Sequence, residues 1–188
     1  MNVLIDGLPT AVEIDGQEYE LNTDYRVGLQ IMTAFEDPDL TGFEKQAVML
    51  QLLYPAVPPD ARRAAELAVK FLNCGQEAKQ SDEEPDTTRY YSWSQDARYI
   101  MSAIEQTYHI DLSTANLHWW RFSYMFLDLH ENCFFSRLIY LRKQKTKGKL
   151  TKEEKEWYYS MREVVDLPEI YSSEEQAVIN KFMSQLGQ

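Results

Sequence analysis

The sequence predicts a mainly α-helical bundle of about seven to eight helices, preceded by a small β-hairpin at the N-terminus. Apolar residues recur three and four positions apart through most of the chain, which is the spacing of one helix face. Helix-start signals stand ahead of several of these stretches. Hydrophobic residues make up 44% of the 188 and aromatic residues 13%, which is enough to build a core.

The N-terminal hairpin is predicted from alternation on either side of a turn. Val12 and Ile14 alternate with polar residues, as do Tyr19 and Leu21 after them. Between the two runs lies Asp15-Gly16, a dipeptide that readily takes the positive φ angles of a tight hairpin. The sequence therefore predicts two short antiparallel strands here.

Three helices are predicted to follow. The first is capped by Thr23 or Asp24 and runs to about residue 36. A capping box predicts the second, because Glu44 follows Thr41 by three residues, and its inner face is predicted to include Phe43. The third runs from Asp60 to about residue 74, with Pro59 at its start.

Residues 76–89 are polar and acidic and lack apolar periodicity, so they are interpreted as a linker or loop. This divides the chain into residues 1–75, with the hairpin and first helices, and an aromatic-rich helical part, residues 90–188. One continuous domain is the alternative, since 188 residues suit a single core.

The second part is predicted to be helical throughout. Ser94 is expected to cap one helix, and Ser113 or Thr114 to begin another that runs to about residue 130. A further helix covers residues 134–141. Capping boxes at Thr151 and Ser173 predict the last two, the final one with Val178, Ile179, Phe182 and Leu186 on its apolar face.

The segment of residues 117–129 is apolar around most of a helical circumference. Arg121 and Asp128 form its one narrow polar stripe. Such a helix is central to the core or is covered by something else. One interpretation is a core helix; the other is that an aromatic edge near Trp119 or Trp120 contacts a partner, since aromatic residues are favoured at interface hot spots.

The residues that carry chemistry are sparse. Among the three histidines, only His130 has a cysteine nearby, Cys133, and two ligands do not complete a zinc site. No glycine-rich phosphate loop or nucleophile elbow is present. We therefore expect no enzyme activity, no metal and no cofactor. Cys74 and Cys133 are expected to be free thiols, as in a cytoplasmic protein.

Charge is unevenly distributed. The net charge is −11, and residues 1–60 hold 11 acidic and two basic side chains. A basic cluster, Arg142, Lys143, Lys145, Lys147 and Lys149, is interpreted as a solvated loop or as a contact for an acidic partner. An acidic chain repels phosphate backbones, so nucleic-acid binding is disfavoured. No apolar run reaches the ~18 residues of a membrane span, and the first residues lack a secretory signal.

Four blocks resemble a family of proteins from phages and prophages of Gram-positive bacteria. They are Tyr91 to Ile100 (YSWSQDARYI), Tyr108 to Leu112 (YHIDL), Leu117 to Phe122 (LHWWRF) and Ile139 to Arg142 (IYLR). The hairpin, the helix that begins near Thr23 and the stretch Phe71 to Gly75 fit the same pattern. The genes of this family lie among the tail genes, near that of the tape-measure protein.

The resemblance implies a tail assembly chaperone that coats the tape-measure protein of a long non-contractile tail in the host cytoplasm. Its partners would be the tape-measure protein and another tail assembly chaperone, with self-association left open. The expected partner contacts are Trp119, Trp120, Phe122, Tyr124 and Arg142. Two alternatives are a structural component of the virion, in the tail or connector, and an acidic inhibitor that mimics DNA.

Overall fold

A computed structural model describes residues 2–76 and 88–186, and within them it shows a hairpin and nine helices. The predicted mainly α fold is confirmed. The strands are β1 (Ala11–Ile14) and β2 (Gln17–Glu20), and the helices are α1 (Tyr25–Glu36), α2 (Gly42–Leu53), α3 (Ala61–Leu72), α4 (Ala97–Tyr108), α5 (Trp119–Leu127), α6 (Phe134–Thr146), α7 (Lys152–Ser160), α8 (Arg162–Val165) and α9 (Ser173–Leu186). Most of the predicted 76–89 linker lies outside the described residues.

The hairpin forms as predicted. Its strands pair antiparallel, with Val12 opposite Tyr19 and Ile14 opposite Gln17. Asp15 and Gly16 have φ angles of 51° and 78°, which is the double positive φ of the turn that suits two-residue hairpins. The local turn chemistry therefore fixes the register of this sheet.

The N-terminal helices begin where their capping residues predict. The Asp24 side chain accepts a hydrogen bond from the backbone N–H of Arg26, and Thr41 and Glu44 form both halves of a capping box. The inner face predicted for α2 is wrong at Phe43, which is 82% exposed. The buried residues of α2 all lie in its second half, so its first turn stands outside the core.

Two predicted helix starts in the second part are wrong. Ser94 does not cap α4, which begins at Ala97 with Asp96 in the cap position. Ser113 and Thr114 do not begin a helix; they lie in a turn in which Ser113 binds the Asp111 carboxylate. The helix begins only at Trp119, where the imidazole of His118 takes the capping role that a hydroxyl or carboxylate usually fills.

The last capping box is displaced by one residue. Ser172, not Ser173, exchanges hydrogen bonds with Glu175, and Ser173 instead donates to Asp39. The box at Thr151 forms as predicted. Two adjacent serines, Ser172 and Ser173, are followed three residues later by Glu175 and Gln176, so the sequence allows a capping box in either register. The contact of Ser173 with Asp39 selects the box that begins at Ser172.

One core joins both predicted parts of the chain. Buried residues of α1, α2 and α3 pack in the same cluster as those of α4 and α5, while α6, α7 and α8 bury a second group around Leu138 and Tyr158. The N-termini of α1 and α5 meet directly. The backbone N–H of Tyr25 donates to the Leu117 carbonyl, and the backbone N–H of Trp119 donates to the Thr23 carbonyl. The division into residues 1–75 and 90–188 stays a prediction.

Gly28 lets α1 and α5 approach closely. The Trp119 ring lies against it, and a Cβ atom at this position would stand 2.1 Å from a ring carbon. Glycine inside a helix is less stable than alanine by about 1 kcal/mol, so it is retained here for the space it leaves. The residue thus sets the distance between the helices that carry the aromatic segment.

Candidate protein-binding surface

The paired tryptophans close the end of another helix. The indole N–H of Trp119 donates to the Leu72 carbonyl at 2.9 Å, and that of Trp120 donates to the Phe71 carbonyl at 2.7 Å. These carbonyls belong to the last turn of α3, where the intrahelical donors run out, and the Phe71 carbonyl also accepts from the backbone N–H of Cys74. Both rings are buried. The block from Leu117 to Phe122 therefore joins α5 to α3.

Phe122 lies at the centre of the aromatic packing. Its ring stacks on Tyr25 at a centroid distance of 5.0 Å and on Trp119 at 5.9 Å, and it is fully buried. The Tyr25 hydroxyl donates to the Leu112 carbonyl at 2.6 Å, which satisfies the one polar atom of the stack. Phe122 thus packs α5 onto α1.

His118 uses both ring nitrogens. Its Nδ1 accepts from the backbone N–H of Trp120 at 3.0 Å, so the Nε2, 2.9 Å from the Pro9 carbonyl, is the nitrogen that carries the proton. Burial lowers the pKa of this imidazole, and the bond to Pro9 opposes the shift. A proton on Nδ1 would remove the cap of α5, so the neutral ring is the structural form.

Arg142 is locked in a buried network. The guanidinium binds Asp96 through two hydrogen bonds of 2.6 and 3.0 Å, and it donates to the carbonyls of Tyr90, Val164 and Val165. These bonds use all five of its N–H groups. The side chain ties α6 to α8 and to the residues that precede α4.

The expected partner contacts therefore occupy two environments. Trp119, Trp120, Phe122 and Arg142 are buried and hold helices together. Tyr124 is 39% exposed and lies on the surface. Tyr124 is therefore the most accessible of the five residues expected to contact a partner, and the contact itself stays a prediction for all five.

Tyr124 borders a groove of about 520 Å³, here called the aromatic groove. It is formed by α5, the end of α3 and the residues before α4. Its lining includes Met32, Cys74, Tyr91, Trp93, Phe126 and Leu127. Leu127 is 79% exposed at the rim. In the sequence, Leu127 is marked only by its position in residues 117–129, which are apolar around most of the helix. Which side of that helix stays exposed depends on packing and cannot be read from the periodicity.

The described lining of the aromatic groove holds no Asp, Glu, Lys, Arg or His side chain. Cys74 and Tyr124, two titratable groups of the lining, stay neutral near pH 7. Burial raises the pKa of the Cys74 thiol, against a hydrogen bond with Ser123. Burial also raises the pKa of the Tyr124 hydroxyl, and the neighbouring Cys74 adds to the shift. The groove thus offers an uncharged, mainly apolar surface.

The remaining candidate residues have structural partners. Both cysteines are free, as predicted, and the Cys133 sulfur caps α6. The His130 Nδ1 accepts from the backbone N–H of Asn132, and Lys145 pairs with Asp166. Across residues 2–76 and 88–186, no three His, Cys, Asp or Glu side chains are grouped as metal ligands. Nor does any helix in these ranges have the length and apolarity to cross a membrane.

The fold and surface together define a mainly helical protein with an aromatic groove whose described lining is uncharged. Residues 4–167 match the family described as Bacteriophage Gp15 protein, and the chain belongs to that family. The predicted resemblance to a phage family is confirmed. No curated protein and no solved structure matched the chain. Helix α9 lies beyond the matched residues.

Proposed function

We propose that this phage protein is a tail assembly chaperone that binds apolar helical segments of the tape-measure protein in the host cytoplasm. A second tail assembly chaperone is its expected partner. It acts by binding, without catalysis and without a cofactor. Membership of a bacteriophage family supports the phage context, and the tail role follows from the resemblance of the sequence blocks.

The aromatic groove is the observation that carries the proposal. A helix with an apolar stripe binds by laying that stripe in an apolar groove. The groove has room for large side chains, about 520 Å³, and its described lining carries no charge that such a stripe would have to desolvate. Leu127 and Tyr124 stand exposed at its rim, ready to be covered.

The scaffold around the groove suits repeated weak contacts. The indoles of Trp119 and Trp120 are fixed by hydrogen bonds to α3, so the groove wall is held in place before a partner arrives. A preformed surface loses little conformational entropy on binding. A net charge of −11 keeps the protein soluble while several copies cover a long apolar partner.

Co-expression with fragments of the tape-measure protein from the same tail gene cluster tests the proposal. We expect the fragments to become more soluble and to co-purify with the chain. Leu127→Asp places a charge at the groove rim and should abolish both effects. Leu4→Asp is the matched control, because Leu4 is 92% exposed and lies outside the lining of the groove.

Two outcomes would contradict the proposal. One is that no fragment gains solubility or co-purifies; the other is that Leu4→Asp and Leu127→Asp weaken capture equally, which would separate binding from the groove. Mass spectrometry of purified virions gives an independent answer. A chaperone should be missing from the particles, whereas a tail or connector subunit would be present in fixed stoichiometry.

A further inference from the structure

A second groove lies between α2 and α3, here called the α2–α3 groove, and its volume is about 970 Å³. Much of its lining is apolar. The apolar lining residues include Phe35, Met49, Ala65, Leu67 and Val69. Its size and shape fit one face of a helix laid between two others.

The rim of the α2–α3 groove is basic in a chain that is acidic overall. Lys45, Arg62 and Arg63 line it, and Glu66 is the acidic residue in its described lining. The Glu66 carboxylate pairs with both arginines, at 3.5 Å and 2.9 Å, so one negative charge faces two guanidinium groups. The surplus positive charge favours an occupant with acidic residues beside an apolar stripe.

Helix α9 begins at the edge of this groove. The backbone N–H and the hydroxyl of Ser173 donate to the two carboxylate oxygens of Asp39, each at 2.6 Å. Asp39 lies between α1 and α2, and Phe35 and Gly42 on either side of it line the groove. The start of α9 is therefore tied to the groove mouth.

Helix α9 has the complementary composition, and the side chains described at its start are exposed. Glu174 and Glu175 lie in its first turn. Val178 is 68% exposed, and the other side chains from Ser173 to Ala177 are exposed as well. In the sequence, Val178, Phe182 and Leu186 follow at intervals of four residues, which is the spacing of an apolar stripe.

We propose that α9 of one copy of this chain lies in the α2–α3 groove of a second copy, and that the second copy returns its own α9 in the same way. Of the α9 side chains that the structure describes, none lines the groove of its own chain, and those from Ser173 to Val178 are exposed. The Ser173–Asp39 bonds fix the start of the helix beside the groove, and the side chains of its first turn are exposed there, so we assign the groove to the helix of a copy related by a twofold axis. Each copy supplies one helix and one groove to the interface, as a closed isologous interface requires.

Light scattering of the full-length chain after size exclusion gives the first test. We expect a mass of twice the 22.1 kDa of one chain. Val178→Asp and the double variant Arg62→Glu/Arg63→Glu should both halve it. Lys147→Glu/Lys149→Glu is the matched control, because it makes the same change in charge at exposed residues far along the chain, and it should remain dimeric.

Binding of a labelled peptide of residues 171–188 gives the second test. The peptide should bind the full-length Val178→Asp variant, whose groove is no longer filled by the helix of a second copy. It should bind at least about tenfold more weakly once Arg62→Glu/Arg63→Glu is added, since loss of a favourable charge contact is worth about a factor of ten. Circular dichroism confirms that each variant is folded.

Three results would overturn the proposal. A monomeric wild-type chain at tens of micromolar would exclude the second copy, even if the peptide bound. A Val178→Asp variant that stays dimeric would place the interface elsewhere. Failure of the peptide to bind the monomeric variant would exclude the α2–α3 groove as the binding site of α9. None of these results bears on capture of the tape-measure protein, so the two proposals fail separately.

Discussion

Replacing Arg142 with methionine removes the charge at the centre of the buried network while leaving most of the side chain in place. Arg142 is 5% exposed and Asp96 is 2% exposed, so water cannot replace the lost bonds without opening the core. Among the residues that the structure describes, Asp96 would keep only the backbone N–H of Ser92 as a donor. The carbonyls of Tyr90, Val164 and Val165 would lose the same partner.

Breaking a buried ion pair from one side costs about 3–5 kcal/mol, because an uncompensated charge is left behind. We expect Arg142→Met to lower the free energy of unfolding by this amount, a large fraction of the 5–15 kcal/mol typical of a domain. The double variant Asp96→Leu/Arg142→Met removes both charges. It should be less destabilised than the sum of the two single variants, by about 0.5–3 kcal/mol.

Urea unfolding followed by tryptophan fluorescence measures these free energies. Lys145→Met is the control, because it breaks a pair with Asp166 in which the lysine side chain is 43% exposed. Exposed pairs contribute about 0–1 kcal/mol. If Arg142→Met were no more costly than Lys145→Met, or if the two changes at positions 96 and 142 were additive, the account of Arg142 as a buried tie would be refuted.

Three further predictions concern single positions. Gly28→Ala should lower the urea midpoint, at a cost of about 1–3 kcal/mol, because its Cβ would overlap the Trp119 ring; an unchanged midpoint would contradict the close approach. Burial lowers the pKa of His118 below its ordinary 6.5, so its contribution is present above that pH and is lost as the pH falls through the folded value. His118→Asn keeps a capping side chain. It should remove the contribution of His118 to the fall in melting temperature between pH 8 and pH 5. Thr41→Ala should cost about 1 kcal/mol in thermal unfolding, through loss of the capping box; no change would show that Glu44 alone stabilises the helix start.

Local chemistry was enough to predict the hairpin and most of the N-terminal helix starts. Asp15-Gly16 and the pair of Thr41 and Glu44 each act within four residues, so their effect can be read without knowing the fold. The start of α5 could not be predicted in this way. His118 is an unusual cap, and it is held in place by the Pro9 carbonyl 109 positions away.

The exposed part of the aromatic segment also depended on long-range contacts. Sequence periodicity shows that residues 117–129 are apolar all round, but the two indole N–H groups find their acceptors in α3. Once those rings turn inward, Tyr124 and Leu127 are left at the surface. Arg142 is a similar case, since its membership of a lysine-rich cluster indicated solvent, while Asp96 and three carbonyls draw it into the core.

The direct pairing of the first turns of α1 and α5 sets an order for folding during synthesis. The backbone N–H of Tyr25 donates to the Leu117 carbonyl, and the Tyr25 hydroxyl donates to the Leu112 carbonyl, 87 residues further along. A ribosome that adds about 5–20 residues per second leaves an interval of roughly 5–20 seconds between them. Until α5 emerges from the exit tunnel, the nascent N-terminal helices lack their docking partner, and their apolar faces are open to the host's ribosome-associated folding factors.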